Sequence, residues 1–179
     1  MFALPTVVAA ATLTLVLWPG DDERPTRSLC FGTLSETTAE LIDDGKGGEI
    51  SSQEWERKGK GDLTVMKTCV LSRGNPDSTT KRGVYSLIIE DTRIDGGQAK
   101  GAVPLGNGMT GWATATEAVA RLPAACARSM GSTAPYITVT LSKSSGVEKH
   151  GAEDQDRAVR DSATVVRESA ANLARAESC

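Results

Sequence analysis

A chain of 179 residues leaves room for one ordinary domain once an apolar leader is set aside. Its 20 basic and 23 acidic side chains are mixed along the length and leave a net charge of −3, which excludes the electrostatic footprint of a nucleic-acid or anionic-lipid binder. Aromatic residues make up only 4% and glycines number 18, so the core must rest on Val, Leu, Ile and Ala and would gain from covalent bracing.

Met1 to Trp18 carries no charged side chain, and the run from Val7 to Trp18 is apolar and compatible with a helix. Pro19-Gly20 stops it and Asp21-Asp22-Glu23 follows. Its length sits at the lower limit for crossing a bilayer core of about 30 Å. No Lys or Arg precedes the run, Leu17-Trp18-Pro19-Gly20 is not an A-x-A-like cleavage site, and Ser28-Leu29-Cys30 lies too far downstream for a lipobox. The segment therefore reads as an uncleaved membrane anchor with Trp18 at the interface; cleavage would instead release a secreted protein. Residues 19–29 read as a linker and residues 30–179 as a single extracytoplasmic domain.

Within that domain, Thr33-Leu34-Ser35-Glu36 fits a capping box with Thr33 as N-cap, and Gly45 can stop the helix that follows. Glu49 to Arg57 and Leu63 to Leu71 read as strands joined by a turn at Lys58-Gly59-Lys60-Gly61. Val84 to Ile89 is the clearest strand. Residues 95–111 hold six glycines and read as loop, and 113–122 are ambiguous up to Pro123. Tyr136 to Leu141 alternates as a strand should. Val159, Ala163, Val166, Ala170 and Leu173 recur at helical spacing, with acids at the start and Arg167 and Arg175 towards the end, as a helix dipole prefers. The fold class expected is α+β: an antiparallel sheet of four to five strands, flanking helices and a C-terminal helix.

The cysteines are Cys30, Cys69, Cys126 and Cys179. An even count in an exported chain implies two disulfides, and the spacings are too wide for a zinc site. Of three pairings, Cys30–Cys69 would tie the first helix to a mid-sheet strand, and Cys126–Cys179 would pin the last helix at its fraying end.

Other motifs carry less. Gly106-Asn107-Gly108-Met109-Thr110-Gly111 matches G-x-G-x-x-G, but Pro104 breaks any preceding strand and no acidic residue lies between Glu117 and Glu148. No cofactor follows from it. Residues 43–54 have the length of an EF-hand loop, from Asp43 at position 1 to Glu54 at position 12. Glycines 45 and 47 stand where two ligands belong, so a calcium module is the alternative reading and a glycine turn the leading one. His150, the sole histidine, reads as a solvated loop residue. No G-x-S-x-G occurs and no carboxylate sits in an apolar context, so a hydrolase would have to use a site the sequence does not display. No catalytic, cofactor or metal residues are assigned.

The string Cys30-Phe31-Gly32-Thr33-Leu34-Ser35, the Leu122-Pro123-Ala124-Ala125-Cys126 turn and the Ala-rich helix ending at Cys179 resemble uncharacterised secreted or membrane-anchored proteins of Streptomyces and related actinobacteria. Those relatives often continue past the helix cysteine. The resemblance implies a disulfide-bonded exported domain and brings no activity with it. The sequence thus points to a non-enzymatic binding or structural role at the cell envelope, with the membrane as partner through residues 1–18.

Overall fold

The computed structural model describes residues 27–59, 65–75, 79–94, 96–144 and 152–179. The apolar leader lies outside them; among the described residues no helix is long and apolar enough to cross a membrane.

The domain is α+β. A two-stranded ribbon, β1 (Ser28–Leu29) and β2 (Leu34–Ser35), leads into a short helix α1 (Glu36–Ala39). Then come β3 (Ile50–Lys58), β4 (Val65–Gly74), β5 (Lys81–Thr92), β6 (Val103–Pro104), β7 (Thr110–Ala113) and β8 (Glu117–Pro123). Helix α2 (Ala124–Ser129), strand β9 (Tyr136–Lys143) and helix α3 (Ala152–Ala176) complete the chain. One seven-stranded sheet runs β3-β4-β5-β9-β8-β7-β6, antiparallel at every pair.

Seven strands exceed the four to five that the pattern predicts, and the surplus comes from residues 103–123. In β8, Ala118, Ala120 and Leu122 face the core while Glu117, Val119 and Arg121 face away. Alanine favours helices, so composition hid a true period of two. Strands β6 and β7 are too short to show any period.

The described helices all pack on one face of the sheet. Cys69 and Leu71, Leu87 and Ile89, Leu141 and Val139, and Ala118 and Ala120 point to that face and are essentially fully buried. They meet Ala163, Val166, Ala170 and Leu173 of α3, four of the five residues expected for its apolar stripe; Val159 is only partly buried. The buried surface of α3 is wider than that stripe, because Val165, Ser162 and Ser169 are also enclosed. The reason is that the β1–β2 ribbon and α1 lie beside α3 on the same face of the sheet and pack against its flank, where Ser169 donates to Thr33 Oγ1 at 2.9 Å and Asn172 to the Thr33 carbonyl at 3.0 Å.

Both disulfides, Cys30–Cys69 and Cys126–Cys179, are present. The first ties the N-terminal layer to β4, and the second clips the end of α3 to α2.

The helix cap differs from the sequence reading. Ser35, not Thr33, is the N-cap, with its Oγ accepting from the Thr38 amide at 3.2 Å. Thr33 instead closes a turn, donating from Oγ1 to the Cys30 carbonyl at 2.7 Å. A capping box also needs an acid to receive the N-cap amide. Here Glu168 of α3 supplies it, accepting from Ser35 N at 2.7 Å and from the Thr38 hydroxyl. Burial alone would raise the Glu168 carboxyl, but the hydrogen bonds from Thr38 and from the Ser35 amide and side chain outweigh it and hold it below the ordinary glutamate range.

Candidate functional site

The EF-hand-length segment does not assemble as a ligand ring. Asp43 Oδ1 accepts from the Gly45 amide at 2.8 Å, an Asx turn, and Glu54 lies out on β3 beside Ser52. Asp44 is enclosed and held by Arg82 through bonds of 2.5 and 2.9 Å; that pairing, before all else, lowers its carboxyl from the ordinary aspartate value. Arg82 also donates to the Gly47 carbonyl at 2.6 Å and the Gly74 carbonyl at 2.7 Å. Arg73, whose side chain is 6% exposed, donates to the carbonyls of Ile42, Gly48 and Glu40 and pairs with the Glu40 carboxylate at 3.0 Å. Two guanidinium groups thus occupy carbonyls of this loop. Gly48, at φ +95°, lets the loop pass against β4: a Cβ there would lie 2.1 Å from the Gly74 oxygen. Among the described residues no group of three or more His, Cys, Asp or Glu side chains comes together as a metal site.

The Gly106–Gly111 run is the turn of the β6–β7 hairpin, closed by Met109 N to Gly106 O at 3.1 Å and Leu105 N to Gly111 O at 3.2 Å. A dinucleotide fingerprint joins a strand to a helix; this turn joins two strands. His150 lies outside the described residues.

A small cleft of about 170 Å³ opens between α3 and the 41–45 segment. Its wall includes Tyr85, Ser162, Asp161 and Asp154, and Arg157 pairs with Asp161 at 3.6 Å. Burial pushes the Tyr85 phenol up, against a lowering hydrogen bond with Ser162, so it is neutral at physiological pH. No nucleophile–base pair with a third orienting group accompanies it among the described residues.

The broad feature is the other face of the sheet, which no described helix covers. The registers align one residue from each successive strand into a transverse row: Trp55, Thr68, Ile88, Thr140, Val119 and Trp112. Trp55 is 52% exposed and the rest of the row is half-buried. Five strand spacings of about 4.8 Å separate the two tryptophans, so the row spans roughly 24 Å. Trp112 is fixed by its indole N–H, which donates to the Gly97 carbonyl at 2.9 Å. Flanking rows carry Met66 and Val70 on β4 and Ser86 on β5. Charges stand off the row's axis: Arg57, Glu90 and Arg121 on one side, the last 5.7 Å from the Tyr136 ring centroid, and Glu117 on the other.

Nothing in the local pattern announces this row, because it depends on register between strands far apart in the chain. One local signal was available: Trp55 sits between Glu54 and Glu56 in a strand whose neighbours are all exposed, so a large aromatic there has no core to enter.

No protein-family model matches the chain, and no curated protein or solved structure matches it.

Proposed function

We propose that the chain is an exported, non-enzymatic binding domain, held at the cell envelope by residues 1–18, that lays a neutral polysaccharide of the envelope across the uncovered sheet face. The transverse row from Trp55 to Trp112 carries this reading. Its indoles offer flat apolar faces for sugar C–H groups, and Thr68 and Thr140 between them offer hydroxyls that both donate and accept. The row bears no charge, so a neutral ligand would strip water from no ion. From Trp55 to Val119 apolar side chains alternate with hydroxyls, instead of forming the continuous apolar core of a stable protein interface. Two disulfides in a glycine-rich chain support an oxidising, extracytoplasmic setting.

The test is co-sedimentation of the full chain with purified cell-wall sacculi and, separately, with membrane vesicles. Thr140→Arg puts a charge at the centre of the row; Ala171→Arg puts the same charge on the exposed side of α3. The reading expects retention on sacculi that Thr140→Arg abolishes and Ala171→Arg leaves intact, with circular dichroism unchanged in both. Wild-type protein that stays in solution, binds only vesicles, or binds sacculi equally well as Thr140→Arg would overturn it.

A further inference from the structure

Strand β3 is the long open edge of the sheet: nine residues paired with β4 on one side and with no described strand on the other. The opposite edge is β6, two residues of which one is Pro104, so it offers little to a partner. Gln53 to Lys58 are exposed on both faces of the sheet.

The direction of the free groups follows from one bond. Gly74 N donates to the Glu49 carbonyl at 3.0 Å, so Glu49 and every second residue after it turn their backbone groups towards β4. Ile50, Ser52, Glu54, Glu56 and Lys58 therefore turn theirs outward. Exposed edges of this kind invite pairing, and charged side chains restrict what can pair. We propose that the partner is a second copy of this chain, added antiparallel along β3 with Glu54 opposite Lys58 of the second copy.

Symmetry selects that register. A continuous antiparallel sheet with a two-fold axis keeps like faces together, so residues opposite each other must belong to the same face of β3. With Glu56 on the axis, Glu54 meets Lys58 twice on one face and Trp55 meets Arg57 twice on the other. The first are opposite charges directly across the ladder; the second place a guanidinium beside an exposed indole. All three outward residues from 54 to 58 then form hydrogen-bonded pairs, and Trp55 and Arg57 occupy the closer, non-hydrogen-bonded positions. Like charge meets once, at Glu56. A shift of one step places Trp55 on the axis and sets Glu54 against Glu56 twice. A shift the other way also pairs Glu56 with Lys58 twice, but it sets Arg57 against itself and leaves Trp55 opposite Gly59, without the indole–guanidinium contact. The register centred on Glu56 is thus the one that joins opposite charges across the ladder and also places each indole beside a guanidinium. The resulting sheet would set both copies' uncovered faces side by side.

Sedimentation equilibrium of the full chain tests this, in a mild detergent that keeps residues 1–18 from associating. The dimer is expected to appear with rising concentration, to weaken at least tenfold in Glu54→Lys, and to return in Glu54→Lys/Lys58→Glu. Glu56→Cys should form a covalent dimer on mild oxidation, whereas Gln53→Cys should not, since those positions lie several residues apart across the axis. Both sites are exposed, so circular dichroism should match wild type. A monomer at every concentration, a dimer indifferent to Glu54→Lys, or failure of the double swap to restore it would overturn the proposal.

Discussion

Glu168→Ala should cost about 2–3 kcal/mol, a large effect for one half-exposed carboxylate. In the folded chain its two oxygens receive the Ser35 amide and the Thr38 hydroxyl, replacing the local acid that the Thr33–Glu36 reading assumed. Bonds to a charged acceptor contribute about 1.5–3 kcal/mol each when both partners are held. The Thr38 hydroxyl is half-buried and can turn to water, so most of the loss falls on the Ser35 amide at the helix N-terminus. Glu168→Gln retains one oxygen for that amide and should lose only about 1 kcal/mol. The pH dependence has a definite sign. The folded carboxyl titrates below its ordinary value, so its contribution is complete above that value and disappears as pH falls through the lower, folded one. Urea unfolding at pH 7 and in acid measures both, with the midpoint shifted and the slope unchanged. Glu168→Ala within about 0.5 kcal/mol of wild type at pH 7, the range of an ordinary surface substitution, would refute the bridging role. So would a deficit that persists undiminished in strong acid.

Three further outcomes follow from the packing. Cys126→Ser/Cys179→Ser opens a 53-residue loop and should lose up to about 4 kcal/mol, with amide exchange rising first in the last turns of α3; exchange unchanged there would argue against the clip. Gly111→Ala should cost at least about 2 kcal/mol by thermal melt, because φ is +146° and the added Cβ would lie 2.0 Å from the Val119 carbonyl; a neutral substitution would mean β7 and β8 are spaced differently. Calcium titration should give no saturable heat tighter than about 1 mM, the weak end for extracellular modules, since Arg73 and Arg82 hold loop carbonyls; tight binding would mean the guanidiniums yield to the ion.

What the sequence disclosed and what it hid divide along physical lines. The disulfide pairing and the C-terminal helix were legible, because export chemistry and a 3.6-residue period are local signals. The alanines of β8 and the glycine-rich hairpin of β6 and β7 concealed three strands, because their strand character comes from neighbours that the chain reaches only after folding. The cap at Ser35 was misplaced by two residues because its acid arrives from position 168. The loop at 43–54 has calcium-like spacing, but its cations are side chains from β4 and β5, which spacing alone does not reveal. The candidate surface was hidden most completely, since six strands contribute one residue each to the row.

Oxidative footprinting with and without isolated sacculi tests the central claim most directly, since the uncovered face carries oxidisable side chains and so does the opposite side of the molecule. Trp55, Met66 and Trp112 lie on the uncovered face; Met130 packs against the core beyond α2. Binding should slow oxidation at the first three and leave Met130 and the exposed side of α3 unchanged. Protection confined to α3 or to the 43–48 loop, or none on the uncovered face of a protein that sediments with sacculi, would contradict the assignment.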